Sequence, residues 1–192
     1  MKKIFFIAVL SFFMLPGVTP PSAGQSIQQE SPVLVGHISY IEGSLLRYVP
    51  ESRDWVATVK DAPLGLQDTL YADENTRAEF ILPNSTWIRI GGSTQIQVLR
   101  LDEDVTEVDI ASGKARLYNK SSSAVMKATT PFGHVVAPAQ AIVDLYVGDA
   151  SVEALCIKGS AYFIHAGGTS KYDLSDRSAS IVAGRGQVSS GK

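Results

Sequence analysis

The sequence predicts an all-β protein: an antiparallel β-sandwich or roll of short strands and hairpins, preceded by a signal peptide. Three observations predict it. Beyond residue 33 apolar residues recur at every second position, as in Thr86-Trp87-Ile88-Arg89-Ile90, the period of a strand with one buried face. Clusters of Gly, Pro, Asn, Asp and Ser punctuate the chain roughly every 8–12 residues, the spacing of sandwich or barrel turns. No window past the leader sustains apolar residues at i, i+3, i+4 and i+7, so helices have no pattern to form on.

The elements follow in order. Lys2 and Lys3 precede an apolar run from Ile4 to Leu15; Pro16 and Gly17 end it, and Ser22-Ala23-Gly24 offers small residues for cleavage. That is the layout of a secretory signal peptide over residues 1–24, and its apolar core of about a dozen residues falls short of the roughly 20 that a spanning helix needs. No later segment is long and apolar enough to span, so the mature chain is expected to carry no transmembrane helix. Residues 25–32 are polar and are expected to form a disordered leader.

Strands are then expected over Val33–Ile41, Ser44–Val49 and Trp55–Val59, with turns at Glu42-Gly43 and Pro50–Asp54. Pro63–Asp68 is expected to be a loop, and Asp61 to Leu70 has room for one helical turn. A ladder of hairpins follows: Arg77–Leu82, the turn Pro83-Asn84-Ser85, Thr86–Ile90, the turn Gly91-Gly92-Ser93, then Gln95–Leu101. Alternation slips by one at Leu99, where a β-bulge fits. Asp102-Glu103-Asp104 turns the chain into Thr106–Ile110. Residues 33–110 thus form an N-terminal β part. Residues 111–190 continue it as the region around which the chain is organised, with short apolar runs between Gly, Pro, Asp and Ser turns. Gly43, Gly113 and Gly159 each stand between an apolar-ended strand and a new one, where a tight hairpin turn would use a positive φ.

The chain has 17 Lys and Arg against 19 Asp and Glu, net −2, and no clustered basic footprint of the kind a nucleic-acid binder shows. His37, His134 and His165 are far apart and lack ligand spacing. No G-x-S-x-G elbow and no phosphate-cradling loop occur. No catalytic residue, metal site or cofactor is therefore expected, and the chain reads as a non-enzyme. Cys156 is the single cysteine, expected to be a half-buried structural thiol. Trp55, Trp87, Arg89 and Tyr146, with Tyr40, Tyr48 and Tyr71, are the side chains suited to a binding surface, since amphipathic aromatics and arginine anchor partners or stack on sugars.

Gly113-Lys114-Ala115, Thr130-Pro131-Phe132-Gly133, Ala141–Leu145, Lys158-Gly159-Ser160-Ala161 and Ile181–Gln187 with Gly184 resemble, in order, the periplasmic domain of the FecR family, the ferric-citrate regulator type. Val35–Ile38, Glu42-Gly43, Trp55-Val56, Pro63-Leu64, Asp68–Tyr71 and Arg77–Phe80 are similar to the front of exported members. Gln67 departs from the pattern, standing where a Gly-Asp turn is usual, and Pro138-Ala139 stands where Gly-Thr is. The resemblance implies an all-β periplasmic or cell-envelope module, non-catalytic, acting by protein interaction or sensing. The transmembrane signalling role does not carry over, since the anti-sigma segment and membrane helix of the regulators are not matched. The alternative occupant of the same aromatic surface is a glycan or peptidoglycan strand.

Overall fold

Residues 34–175 and 180–191 are described by the structure, a computed structural model. The expected signal peptide and leader lie outside the described residues. In chain order the strands are β1 (Gly36–Glu42), β2 (Leu45–Val49), β3 (Asp54–Ala57), β4 (Pro63–Leu64), β5 (Thr69–Ala72) and β6 (Arg77–Ile81). There follow β7 (Thr86–Ile90), β8 (Thr94–Leu101), β9 (Val105–Asn119), β10 (Val125–Thr130), β11 (Gly133–Ala137) and β12 (Ile142–Val147). The last are β13 (Ser151–Lys158), β14 (Ser160–His165), β15 (Lys171–Ser175), β16 (Ser180–Gly184) and β17 (Val188–Gly191). No helix occurs among the described residues, so the helical turn allowed at Asp61–Leu70 does not form.

Ladder pairings arrange the strands in two layers. The first runs β4, β1, β6, β7, β9, β12, β13, β16, β17. The second runs β3, β2, β5, β8, β9, β10, β11, β14, β15. β9 belongs to both, its N-terminal half in the second layer and its C-terminal half in the first, so all strands join in one sheet folded over itself.

Period-two burial builds the core between the layers. In the first layer Ile38, Phe80, Ile88, Leu117, Val143 and Cys156 stand side by side across six strands, none more than 1 % exposed. In the second, Val98, Val108, Ala128, Val135 and Phe163 do the same. Both rows belong to one cluster. Cys156, expected to be half-buried, is fully buried with Val152 and Ala154, because its side of β13 faces the core while Leu155 and Ile157 face outward.

The expectations at the turns need correction. Gly43, Gly113 and Gly159 do have positive φ, at 91°, 94° and 76°, but none closes a hairpin. Gly43 passes the chain from β1 in one layer to β2 in the other, Gly113 does so within β9, and Gly159 between β13 and β14. Gly91-Gly92-Ser93 likewise links β7 and β8 in different layers instead of turning a hairpin. Thr106–Ile110 and the Gly113 segment are one 15-residue strand, bent at the glycine. Residues 110 and 111, where the N-terminal part meets the 111–190 region, both lie in β9. Pro63–Leu64, expected in a loop, forms a two-residue strand on β1. One pairing, β9 with β10, is parallel. The bulge sits where alternation slipped: the β8–β9 register shifts between Val98 and Arg100, leaving Leu99 as the extra residue.

Candidate functional site

Because Ile88 and Ile90 face the core, Trp87 and Arg89 must face out of the first layer. Register brings other strands' outward residues beside them. Glu79, Arg89, Arg116 and Asp144 form one transverse row over β6, β7, β9 and β12. Trp87, Tyr118 and Ile142 form the next row on one side, and Lys114, Tyr146 and Glu153 the next on the other. Of these, Glu79, Arg89, Lys114, Arg116, Tyr118, Asp144 and Tyr146 line, with Ser39, Tyr40 and Glu42 of β1, an open groove of about 1020 Å³; Trp87 stands on the same face just outside it.

Charge-assisted hydrogen bonds hold the groove's floor. Arg116 grips Asp144 through both Nε and Nη2, the latter 2.6 Å from Oδ2. Arg89 donates through Nε to Glu79 and through Nη1 to the Tyr118 hydroxyl at 3.0 Å. Ser39 Oγ donates to Glu79 Oε1 at 3.2 Å. The carboxylates beside them push both guanidinium groups further above their ordinary values, Glu79 acting on Arg89 and Asp144 on Arg116, with the Tyr118 hydroxyl adding to each. The Tyr40 phenol is also pushed up, by its hydrogen bond to Glu42. Lys120 Nζ sits 3.1 Å from the centre of the Trp87 ring, a cation–π contact that covers one face of the indole.

Asp144 is 5 % exposed, so its partner matters to stability. Arg116→Ala is expected to cost about 2–3 kcal/mol in urea denaturation, because a buried carboxylate left unpaired is strongly disfavoured while the half-exposed arginine softens the loss. The double substitution Arg116→Met with Asp144→Leu should recover most of it. A loss below about 0.5 kcal/mol, ordinary for a surface change, would mean the pair is not buried in solution.

The residues singled out by sequence separate. Trp87, Arg89 and Tyr146 share the outer face of the first layer. Trp55 does not join them. It lies on β3 at the edge of the second layer, 5.4 Å from the Tyr48 ring and 6.0 Å from the Tyr71 ring. Arg116, Tyr118, Lys114 and Asp144, which complete the groove, went unnoticed in the sequence; the only local sign was outward parity beside Ala115 and Leu117. The motif residues Gly113, Thr130, Pro131, Gly133, Gly159 and Gly184 belong to turns and corners. Thr130 Oγ1 donates to the Gly133 carbonyl at 2.8 Å and accepts from the Phe132 N–H at 3.3 Å. A Cβ on Gly133 would meet the Ile164 carbonyl at 2.3 Å. The Gly184 N–H donates to the Gln187 carbonyl at 2.9 Å. Gln67 has a φ of 68°, the left-handed conformation for which glycine is favoured.

Elsewhere the titratable groups stay dispersed. His37 is on β1, His134 on β11, and His165 Nε2 meets the Gly184 carbonyl at 2.7 Å. Burial, helped by Lys127, holds the His134 imidazole below its usual value, and burial pushes the Asp109 carboxyl, two strands away on β9, up. No grouping of three or more His, Cys, Asp or Glu able to hold a metal exists among the described residues.

No protein-family model and no curated protein matches the chain. Two crystal structures of a candidate anti-sigma factor from Parabacteroides distasonis are similar to it, each with a TM-score of 0.55 over 65 % of this chain and 59 % of that one. The chain shares their fold. Identity is 12 % in one case and 13 % in the other, which carries the architecture and no residue roles. This chain spans about three-fifths of the length of those chains.

Proposed function

We propose that this chain is an exported FecR-like β domain that works without catalysis, as a protein-interaction or sensory module of the bacterial periplasm or cell envelope. The observation that supports this reading is the open groove across β1, β6, β7, β9 and β12, with Tyr40 at 48 % and Tyr146 at 43 % exposure on its rims. A shallow, multi-strand surface with exposed aromatics and arginines suits an extended macromolecule better than an enclosed small molecule. The fold shared with a candidate anti-sigma factor is compatible with the same reading.

Photo-crosslinking residues introduced at Tyr146 and Trp87 test it, with Trp55 on the other layer as the control. The expected result is one envelope protein captured from Tyr146 and Trp87 and absent from Trp55. Capture of glycan strands from all three positions would support the wall-binding alternative. Stacking on a sugar needs a bare ring face, and Lys120 occupies one face of Trp87. Absence of any specific adduct from the folded protein would defeat the interaction reading.

A further inference from the structure

The groove on the first layer has its acceptors engaged and its donors in excess. Glu42 accepts from the Tyr40 hydroxyl at 3.1 Å and lies 3.8 Å from Arg77. Glu79 is taken by Ser39 and Arg89, and Asp144 by Arg116. Those are all the carboxylates that line the groove.

The donors are not exhausted. Lys114 pairs with no carboxylate among the described residues. Arg89 donates through Nε and Nη1 and keeps Nη2 for a further acceptor, while Arg116, held by Asp144 and beside the Tyr118 hydroxyl, is still half exposed. The Tyr118 oxygen accepts from Arg89 and still has its own proton to donate. Four cations, Arg77, Arg89, Lys114 and Arg116, face three carboxylates, on a chain whose net charge is −2. Arg89 and Arg116 moreover stand directly opposite each other on β7 and β9, and like charges so placed destabilise a sheet. Glu79 and Asp144 offset that repulsion from the two outer sides, and an anion between the arginines would offset it from the middle while taking the free Arg89 Nη2.

We propose that the groove binds an acidic peptide segment of the protein partner, with carboxylates meeting Arg89, Lys114 and Arg116 and the segment's apolar atoms lying against Tyr40 and Tyr146. The inference rests on the interaction-module reading and adds the chemistry of the partner to it. From β1 to β12 is four strand spacings, about 19 Å, room for about six extended residues.

The test is titration of the full, nitrogen-labelled chain with poly-L-glutamate, followed by amide chemical shifts. The expected result is movement of the amides of β7, β9 and β12 around Arg89, Lys114 and Arg116, weakening as salt screens the charges. Lys114→Gln, an exposed substitution that breaks no ion pair, should weaken binding about tenfold, and Arg89→Gln by a similar factor. Unmoved groove amides at low salt would overturn the proposal. So would equal affinity in folded Lys114→Gln, or a neutral chitin oligosaccharide moving the same amides where poly-L-glutamate does not. If crosslinks from Tyr146 still capture an envelope protein in that event, the interaction reading stands and only the acidic segment falls.

Discussion

Replacing Gly113 with valine is expected to destabilise the fold by about 3 kcal/mol or more, since a left-handed backbone costs a branched residue about 1–2 kcal/mol and a forced overlap a similar amount again. The φ there is 94°. A Cβ would fall 2.3 Å from Thr94 Oγ1, 2.5 Å from Thr94 Cα and 2.6 Å from the Ser93 carbonyl. Two of those three atoms are backbone and cannot swing away. The buried Thr94 hydroxyl also closes the corner: it accepts from the Lys114 N–H at 2.9 Å and donates to the Lys114 carbonyl at 3.2 Å. The same device recurs at Gly43, where Thr76 Oγ1 bonds the Ser44 N–H at 2.9 Å and the Ser44 carbonyl at 2.8 Å. Gly113 matters more because β9 is the strand shared by both layers, so a distortion at its bend disturbs the ladders with β8 and β10 on one side and with β7 and β12 on the other. Urea denaturation followed by circular dichroism measures the loss. Gly186→Ala, where a Cβ meets nothing within 4 Å, should be near neutral. A Gly113→Val protein as stable as the parent would show that the corner is not built this way.

How far the chain could be read in advance follows from what period two encodes. Alternation reports which residues of a strand share a face, so that Trp87 and Arg89 stand opposite Ile88 and Ile90 was legible, while which of the two faces is buried was not. The slip at Leu99 was legible for the same reason: a bulge changes parity locally. Alternation says nothing of which strand pairs with which. Gly43 and Gly113 were therefore visible as positions wanting positive φ, yet a corner between layers and a hairpin within one look alike in sequence. Strand direction is equally silent, because Met126 beside Thr106 in a parallel ladder has the parity it would have in an antiparallel one. β4 has two residues, too few for a period. The groove suffered most. Arg116 and Asp144 are 28 residues apart, and only register brings them together. Trp55 was grouped with Trp87 by residue type, but β3 lies in the other layer.

Phe80→Ala is expected to give the largest loss of any core truncation in the first layer, about 3–5 kcal/mol, from lost transfer free energy plus an unfilled cavity. Phe80 is fully buried and stands between Ile38 on β1 and Ile88 on β7, inside a row that continues through Leu117 and Val143 to Cys156. Its neighbours are held by ladders on both sides, so they cannot collapse into the space without breaking register. The melting temperature should fall by about 10 °C for a chain of this size. Phe80→Leu, which keeps most of the volume, should lose well under half as much. The comparison also separates core from groove. Phe80 lies beneath Glu79 on the same strand, and Glu79 holds Arg89 in place. If the groove depends on the ladder that the core aligns, Phe80→Ala should loosen Arg89 and weaken poly-L-glutamate binding even where the protein remains folded, whereas Arg89→Gln should weaken binding with the melting temperature almost unchanged. Equal melting temperatures for Phe80→Ala and the parent would mean that the two layers do not close on Phe80 as this packing requires.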